Sequence, residues 1–526
     1  MDVTRPDWMR RWLLPISLLA AFSALVFGSV YFIDHLRDGG AGVAGAMARY
    51  LHFDAGMITD AISQLSPVVV ALLGIVVTVV AIIVQLSSDR YSGVARMFVR
   101  DRINQAVLAY YVIAAVCGVW LSVALQDGFV PVASLLLGIS MASLGMLLML
   151  PYFSYVFWFL EPVNLVARIR GDAERSVAKL LGKHDTPPNV LDDRQAAMLA
   201  SLAELTDIAT HSVSGKDKII ASRAVDALKD FACRYLDQKN RLPAQWFRIG
   251  RSLGENPDFI AMDPESLVDL ETRRTWVEWQ VLRQYLSIYG EAGTALREVN
   301  YLIAIDTRYI GEKAAQCGDD ELVALVFRYM NSYLRATLNL RDVRTAYNVL
   351  NQYRLLAQSM LRYGRDAFAL EAVRHMGYYS HVSFDMTLNF VAETVAYDVS
   401  TLCQAGHEYD SPTQDAMLAL FMKLDRPLRI KRQERALLGV RKAQVKLAAY
   451  YLSVGHHERA LVIARDMREE NAERVSIIRS ELENVADKDF WEIIDRGRTF
   501  EYMPPQQREA LGAFFTLLAE LQSSAA

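Results

Sequence analysis

Charged residues are spread very unevenly along this chain. Trp12 to Ile33 runs about 22 residues without a charge, long enough to cross ~30 Å of hydrocarbon as a helix. Pro67 to Leu86 forms a second such run, Ala106 to Leu125 a third, and Phe129 to Leu160 a fourth. The fourth is about 32 residues, too long for one straight crossing. Pro151 removes a backbone donor within it, which predicts a kink near residue 150, and the aromatic stretch Tyr152 to Leu160 suits a membrane interface. A cleaved signal peptide is the rival reading of the first run, but its apolar core is longer than such peptides carry.

From Val163 onward apolar residues recur at three- and four-residue spacing on charged backgrounds, the signature of amphipathic helix. The fold expected is therefore all-α: a four-helix transmembrane bundle over 1–162 (spans about 12–33, 67–86, 106–125 and 129–150/160), a membrane-proximal helix over 163–182, and a helical-hairpin, solenoid-like domain over 189–526. The stretch GKHDTPPNV separates the last two. Between the first two spans, Ala46 to Leu65 reads as an amphipathic helix on the membrane surface. His35 and His52 there read as solvated loop residues.

Positive charge fixes the orientation. Arg5, Arg10 and Arg11 precede the first span, Arg90, Arg96, Arg100 and Arg102 separate the second from the third, and Arg168, Arg170 and Arg175 follow the fourth. The opposite side offers Arg37 and Arg49 against Asp34, Asp38, Asp54, Asp60 and Asp127. Both termini and the large domain are accordingly expected in the cytoplasm.

No charged residue falls in the middle of a span, which argues against a proton-coupled transporter. Small and polar residues do recur there. On the second span Ala71, Gly74, Thr78, Ala81, Gln85 and Ser88 form one stripe; on the third Ala114, Gly118 and Ser122; on the fourth Ser134, Gly138, Ala142 and Gly145. Close helix packing is the ordinary reading of such stripes. The sharper one is that Gly74, Thr78, Gln85 and Ser88 line an aqueous pathway.

The stretch VVTVVAIIVQLSSDRYSGVARMFVRDRINQAVLAYYVIAAVCGVWLSVAL, residues 76–125, resembles a bacterial family of membrane proteins of unknown function. Thr78, Val79, Gln85, Ser87, Ser88, Tyr91 and Ser92 fall into that family's register, followed by its aromatic, acidic and glutamine positions at Phe98, Asp101 and Gln105. Gly93 to Arg96 replace the family's Pro-Arg step. The resemblance implies a multi-pass protein of the bacterial inner (plasma) membrane and brings no activity with it.

A faint repeat runs through the large domain after residue 300. Gly318, Gly364, Gly406 and Gly455 each read as a helix end, about 46, 42 and 49 residues apart. Gly311, Ala357 and Ala448 stand seven residues before three of them, and Val323, Ala369 and Ala460 five after. The copy from Leu447, LAAYYLSVGHHERALVIARDM, resembles a tetratricopeptide hairpin, with Leu447, Ala448, Tyr451, Gly455 and Ala460 in that motif's places. A short stack of antiparallel helix pairs is implied, against an irregular bundle with chance spacing.

Composition narrows the chemistry. A net charge of −4 without a dominant basic patch gives no case for nucleic acid. Cys117, Cys233, Cys317 and Cys403 lie far apart with no metal-ligand spacing and read as reduced, buried thiols. No phosphate loop, dinucleotide fingerprint, zinc-protease helix or nucleophile elbow occurs in the sequence, so no enzyme, cofactor or metal is expected. His456 and His457 read as a solvated turn, and Trp276, Trp279, Tyr285 and Tyr289 as a core stripe. Arg426, Arg429, Lys431, Arg432 and Arg435 form the densest basic cluster; it is a solvated loop or, if folded toward the bilayer, a contact for anionic head groups through Arg429, Lys431 and Arg432. The expected partners are the lipid bilayer, a second copy of the chain and a cytoplasmic protein. Two functions fit this pattern: a membrane-anchored scaffold built on helical repeats, or an oligomeric channel lined by the second span.

Overall fold

In the computed structural model, residues 6–40, 42–52, 55–88, 94–124, 131–183, 186–425, 434–489, 496 and 499–523 are described. The chain divides into two compact units, Met1–Leu165 and Val166–Ala526. Every regular element among the described residues is helical.

The first unit contains α1 (Pro6–Arg37), α2 (Val43–Tyr50), α3 (Ala55–Ser88), α4 (Val94–Arg100), α5 (Arg102–Ala124) and α6 (Val132–Leu160). Four stretches are long and apolar enough to cross a membrane: Ile16–Arg37, Pro67–Gln85, Arg102–Ala124 and Val132–Leu160. Helices are the form that single spans take in hydrocarbon, because all their backbone groups pair internally. α3 and α5 pack together and both pack on α6, while α1 touches α6 and α2. Val69, Ala114 and Ala142 meet at the centre of the three-helix contact.

Two local expectations need correction here. The surface helix expected over Ala46–Leu65 is broken after Tyr50, and α3 starts at Ala55 and runs unbroken through Pro67. α6 is one helix that contains Pro151 and ends at Leu160, where Glu161 turns extended (φ −62°, ψ 125°). His35 is not a solvated loop residue: it is buried beside Gly40 and Gly45, where a side chain on Gly40 would collide with the imidazole.

The second unit takes in most of α7 (Pro162–Ala178), then α8 (Pro188–Ser214) and α9 (Lys218–Lys239). Three short helices follow, α10 (Arg251–Gly254), α11 (Pro257–Ile260) and α12 (Pro264–Thr272). Next come α13 (Trp276–Ala292), α14 (Arg297–Cys317), α15 (Asp320–Asn339), α16 (Val343–Arg362), α17 (Asp366–Asp385) and α18 (Asn389–Glu408). The unit ends with α19 (Gln414–Met422), α20 (Glu434–Ser453), α21 (His457–Asp466), α22 (Ala472–Asn484) and α23 (Pro505–Ser523). They stack in two layers. α8, α13, α15, α17 and α19 pack in succession in one, and α9, α14, α16, α18 and α20 in the other. Trp276 and Trp246 sit fully buried with ring centroids 5.2 Å apart, so the aromatic stripe belongs to the core.

One turn geometry recurs through the stack. A residue with left-handed backbone follows each of α14 to α18: Gly318, Arg341, Gly364, Thr387 and Asp410, each 23 positions after the last. The next residue then sends its N–H back five residues, as in Asp319 to Ala314 O (2.9 Å), Arg365 to Met360 O (2.8 Å) and Ser411 to Gly406 O (2.8 Å). This is the Schellman closure, which satisfies carbonyls that the helix end would otherwise leave unpaired. α15, α16, α17 and α18 are each 20 residues long, so a helix pair repeats every 46. Gly406 was expected to end a helix; instead it lies inside α18 against Met417 of α19, and Asp410 makes the turn. In this register Gly311, Ala357 and Cys403 are equivalent; a Cβ on Gly311 would come within 2.9 Å of both Leu356 and Val326.

Left-handed backbone costs a β-branched residue more than glycine. Thr387→Gly is therefore expected to stabilise the protein by about 1 kcal/mol and Gly364→Ala to destabilise it by about 1 kcal/mol, as read from thermal unfolding in detergent. Shifts of the same sign for both would contradict the turn assignment.

Candidate functional site

At one end of the membrane unit the helices are joined by side chains. Asp101 stands just before α5 and caps it, its Oδ1 accepting from the N–H groups of Ile103 (3.0 Å) and Asn104 (3.3 Å). The same oxygen accepts the Tyr155 hydroxyl from α6 at 2.6 Å. Asn104, only 2% exposed, donates to Phe98 O at 3.0 Å and accepts the Tyr152 hydroxyl at 2.5 Å. Gln105 reaches Val99 O, and the rings of Phe98 and Phe159 meet edge to face at 5.1 Å. Of the positions that carried the family resemblance, Phe98 and Asp101 thus tie the α4–α5 turn to α6, and Gln105 closes the turn itself. Asn104 was not singled out from sequence. A lone amide beside an apolar run gives no sign that it will be buried.

The stripes of small residues divide into two kinds. Ala114, Ala142 and Gly145 face inward, where Tyr111 donates to Gly145 O at 2.7 Å and Tyr110 to Met141 O at 2.5 Å. A Cβ on Gly138 would stand 3.0 Å from Leu121. On α3 it is Val69 and Val76 that are buried, while Gly74, Thr78 and Gln85 are exposed and a Cβ on Gly74 would meet nothing within 4 Å. Ser88 continues the helix, but its side chain lies outside the described residues, as do Arg429, Lys431 and Arg432 of the basic cluster.

In the second unit the 46-residue register sets buried polar groups in line. Asp306, Gln352, Asp398 and Gln444 occupy successive helices of one layer, α14, α16, α18 and α20, and all are buried. Two residues after the first two stand Arg308 and Arg354, each reaching forward to the next member. Arg308 Nε donates to Gln352 Oε1 at 2.8 Å and Arg354 Nε lies 3.2 Å from Asp398 Oδ1. Asp306 is served instead by Lys229 Nζ at 3.6 Å and by the Tyr285 hydroxyl at 3.4 Å. Burial pushes the Asp306 carboxyl up to about 7, against the pull of Lys229. Elsewhere in the unit buried cations are matched by several carboxylates: Lys239 by Glu278 (2.7 Å) and Asp319 (2.6 Å), and Arg441 by Asp425 (2.5 Å), Asp466 (2.6 Å) and Glu470 (2.7 Å). Such pairs avoid the heavy cost of an isolated buried charge.

Among the described residues no group of three or more His, Cys, Asp or Glu is arranged to hold a metal. The four cysteines are free thiols; burial raises that of Cys403 to about 12, so it is an inert packing residue. His456 is exposed at the turn after α20, its ring 4.4 Å from that of His407.

Four apolar helices, two of them joined at one end by side chains, followed by layered helical hairpins, define a multi-pass α-helical membrane protein. Residues 9–235 match the family described as "Predicted membrane protein (DUF2254)". That match establishes the resemblance read over 76–125 and extends it across all four spans and on into α9. No curated protein and no solved structure matches the chain.

Two substitutions probe this chemistry. Tyr152→Phe leaves the buried Asn104 oxygen without its donor and should cost about 1–3 kcal/mol. Tyr155→Phe should cost less, because Asp101 keeps its two backbone partners; equal losses in detergent melts would contradict the ranking. Asp306 holds its proton in the folded state well above the ordinary carboxylate range, so the folded protein binds more protons than the unfolded chain between about pH 4 and 7. Its contribution to stability is therefore present at low pH and falls as pH rises through that window, by up to roughly 1.4 kcal/mol per unit. Asp306→Asn should flatten this part of the stability–pH curve; an unchanged slope would show that Asp306 is ionised when folded.

Proposed function

We propose that this protein is a membrane-anchored scaffold of the bacterial inner membrane, binding a cytoplasmic protein through its layered helical hairpins. The observation that supports this most directly is the α14–α16–α18–α20 layer, whose buried polar residues Asp306, Gln352, Asp398 and Gln444 recur every 46 positions, the regular stacking of a helical-repeat domain. Layers of paired helices in tetratricopeptide-like proteins present extended binding surfaces of this kind. The distribution of arginines around the spans supports cytoplasmic termini, and with them a second unit within reach of soluble partners. The bilayer is the first partner, and a second copy of the chain, meeting the exposed α3 face, is another.

A channel is the alternative, and one observation favours it: Thr78 and Gln85 face out of the single-chain bundle, where symmetric copies would turn them toward a shared axis. The two readings part on experiment. A scaffold predicts that a protein co-purifies with the full-length chain from membranes and is lost when residues after Gly182 are deleted. Retention of that protein by the truncated chain would overturn the reading. A channel instead predicts conductance in a reconstituted bilayer that changes with Gln85→Ala.

A further inference from the structure

The face of α16, α18 and α20 carries a piece of this chain from far along the sequence. Arg496 donates to Asp398 Oδ1 at 2.5 Å and to Tyr347 O at 2.6 Å, and its guanidinium lies 4.2 Å from the centroid of the Tyr347 ring. Both side chains of the Arg496–Asp398 pair are nearly buried, at 7% and 3% exposure. Four residues on, the Phe500 ring stacks on Tyr397 at 4.9 Å and 5°, within a box completed by Tyr347 (5.9 Å) and Phe390 (6.4 Å). Lys446 Nζ donates to Phe500 O at 2.6 Å, and Lys442 Nζ to Glu501 at 2.9 Å. Residues 499–504 make no helix, and the Phe500 carbonyl is held by a side chain of α20.

Each feature of this segment thus has a counterpart on the layer: a carboxylate for the arginine, an aromatic box for the phenylalanine, a lysine for the glutamate. The fit is incomplete. Among the described residues, Asp398 Oδ2 and the Tyr397 hydroxyl are buried without a hydrogen-bond partner, and buried polar atoms in that state cost stability. A segment that also supplied donors to these two atoms would bind this face better than the chain's own.

We propose that this face is a docking groove for a partner peptide presenting an arginine, an aromatic residue four positions later and an acidic residue after it. Residues Arg496, Phe500 and Glu501 occupy the groove as an internal ligand that the partner displaces. The inference rests on the scaffold reading and adds to it the site and the chemistry of the partner.

The test uses the full-length protein in lipid nanodiscs and a fluorescein-labelled synthetic peptide copying residues 493–503, with binding followed by anisotropy. Arg496→Ala with Phe500→Ala empties the groove, and the peptide should bind this variant about tenfold or more tightly than wild type, since an internal competitor lowers apparent affinity by the fraction of open groove. Adding Asp398→Asn to that variant, or replacing the peptide's own arginine and phenylalanine by alanine, should abolish the gain. Equal binding to wild type and variant, or binding of the alanine peptide as tight as that of the parent, would overturn the proposal. Should the double variant lose its helical circular dichroism, hydrogen exchange on the wild type decides: excess peptide should speed exchange at residues 499–503, and unchanged exchange overturns it. A protein partner that stays bound to Asp398→Asn chains that show no peptide binding would refute this groove and leave the scaffold reading standing.

Discussion

Backbone N–H and C=O groups must be paired wherever water is kept away, and both units of this chain are built around meeting that demand. In the apolar unit long helices meet most of it internally, and α3 and α6 stay helical past Pro67 and Pro151, which each remove one bond from the ladder. Where one of these helices begins, a side chain takes over: Asp101 caps the first N–H groups of α5 and is held by Tyr155. In the layered unit the demand falls at helix ends, which are numerous and packed. There a left-handed residue and a hydrogen bond reaching five residues back close one helix after another.

That turn, repeated every 23 residues from Gly318 to Asp410, is what gives the layers their register. Equal helix lengths bring equivalent positions level on alternate helices, so a polar residue at one position becomes a row: Asp306, Gln352, Asp398 and Gln444. Burying such a row would be costly if its members were alone. Arg308 and Arg354 relieve the cost by reaching from one helix to the next, and they bind neighbouring hairpins together as they do so. The series runs out at Ser400, which sends no cation forward to Gln444. At that end of the stack Asp398 takes a second arginine from another part of the chain.

The sequence shows those features that depend on neighbours along the chain. The four spans were legible because about 20 apolar residues in a row have few other uses. The helix pairs were legible at Gly318, Gly364 and Gly455, where glycine marks the left-handed turn. They were misread at Gly406, since Asp410 adopts that backbone without being glycine and Gly406 serves close packing against Met417. Arg341 and Thr387 hid two more turns in the same way. Features that depend on distant residues were not legible at all. Small and polar residues form stripes on both α3 and α6, yet Gly74, Thr78 and Gln85 face out while Ala142 and Gly145 face in, which only the arrangement of the helices decides. Asn104 meets Tyr152 across 48 positions, and Arg496 meets Tyr347 across 149.

The exposed α3 face decides between the two readings of what this architecture is for. Native mass spectrometry of the full-length protein released from nanodiscs measures this directly. A scaffold joined through that face is expected as a monomer–dimer pair, with additional mass from a bound protein in a fraction of the particles. A single closed ring of many copies, with Gly74, Thr78 and Gln85 around its axis, would contradict the scaffold and make the protein a channel.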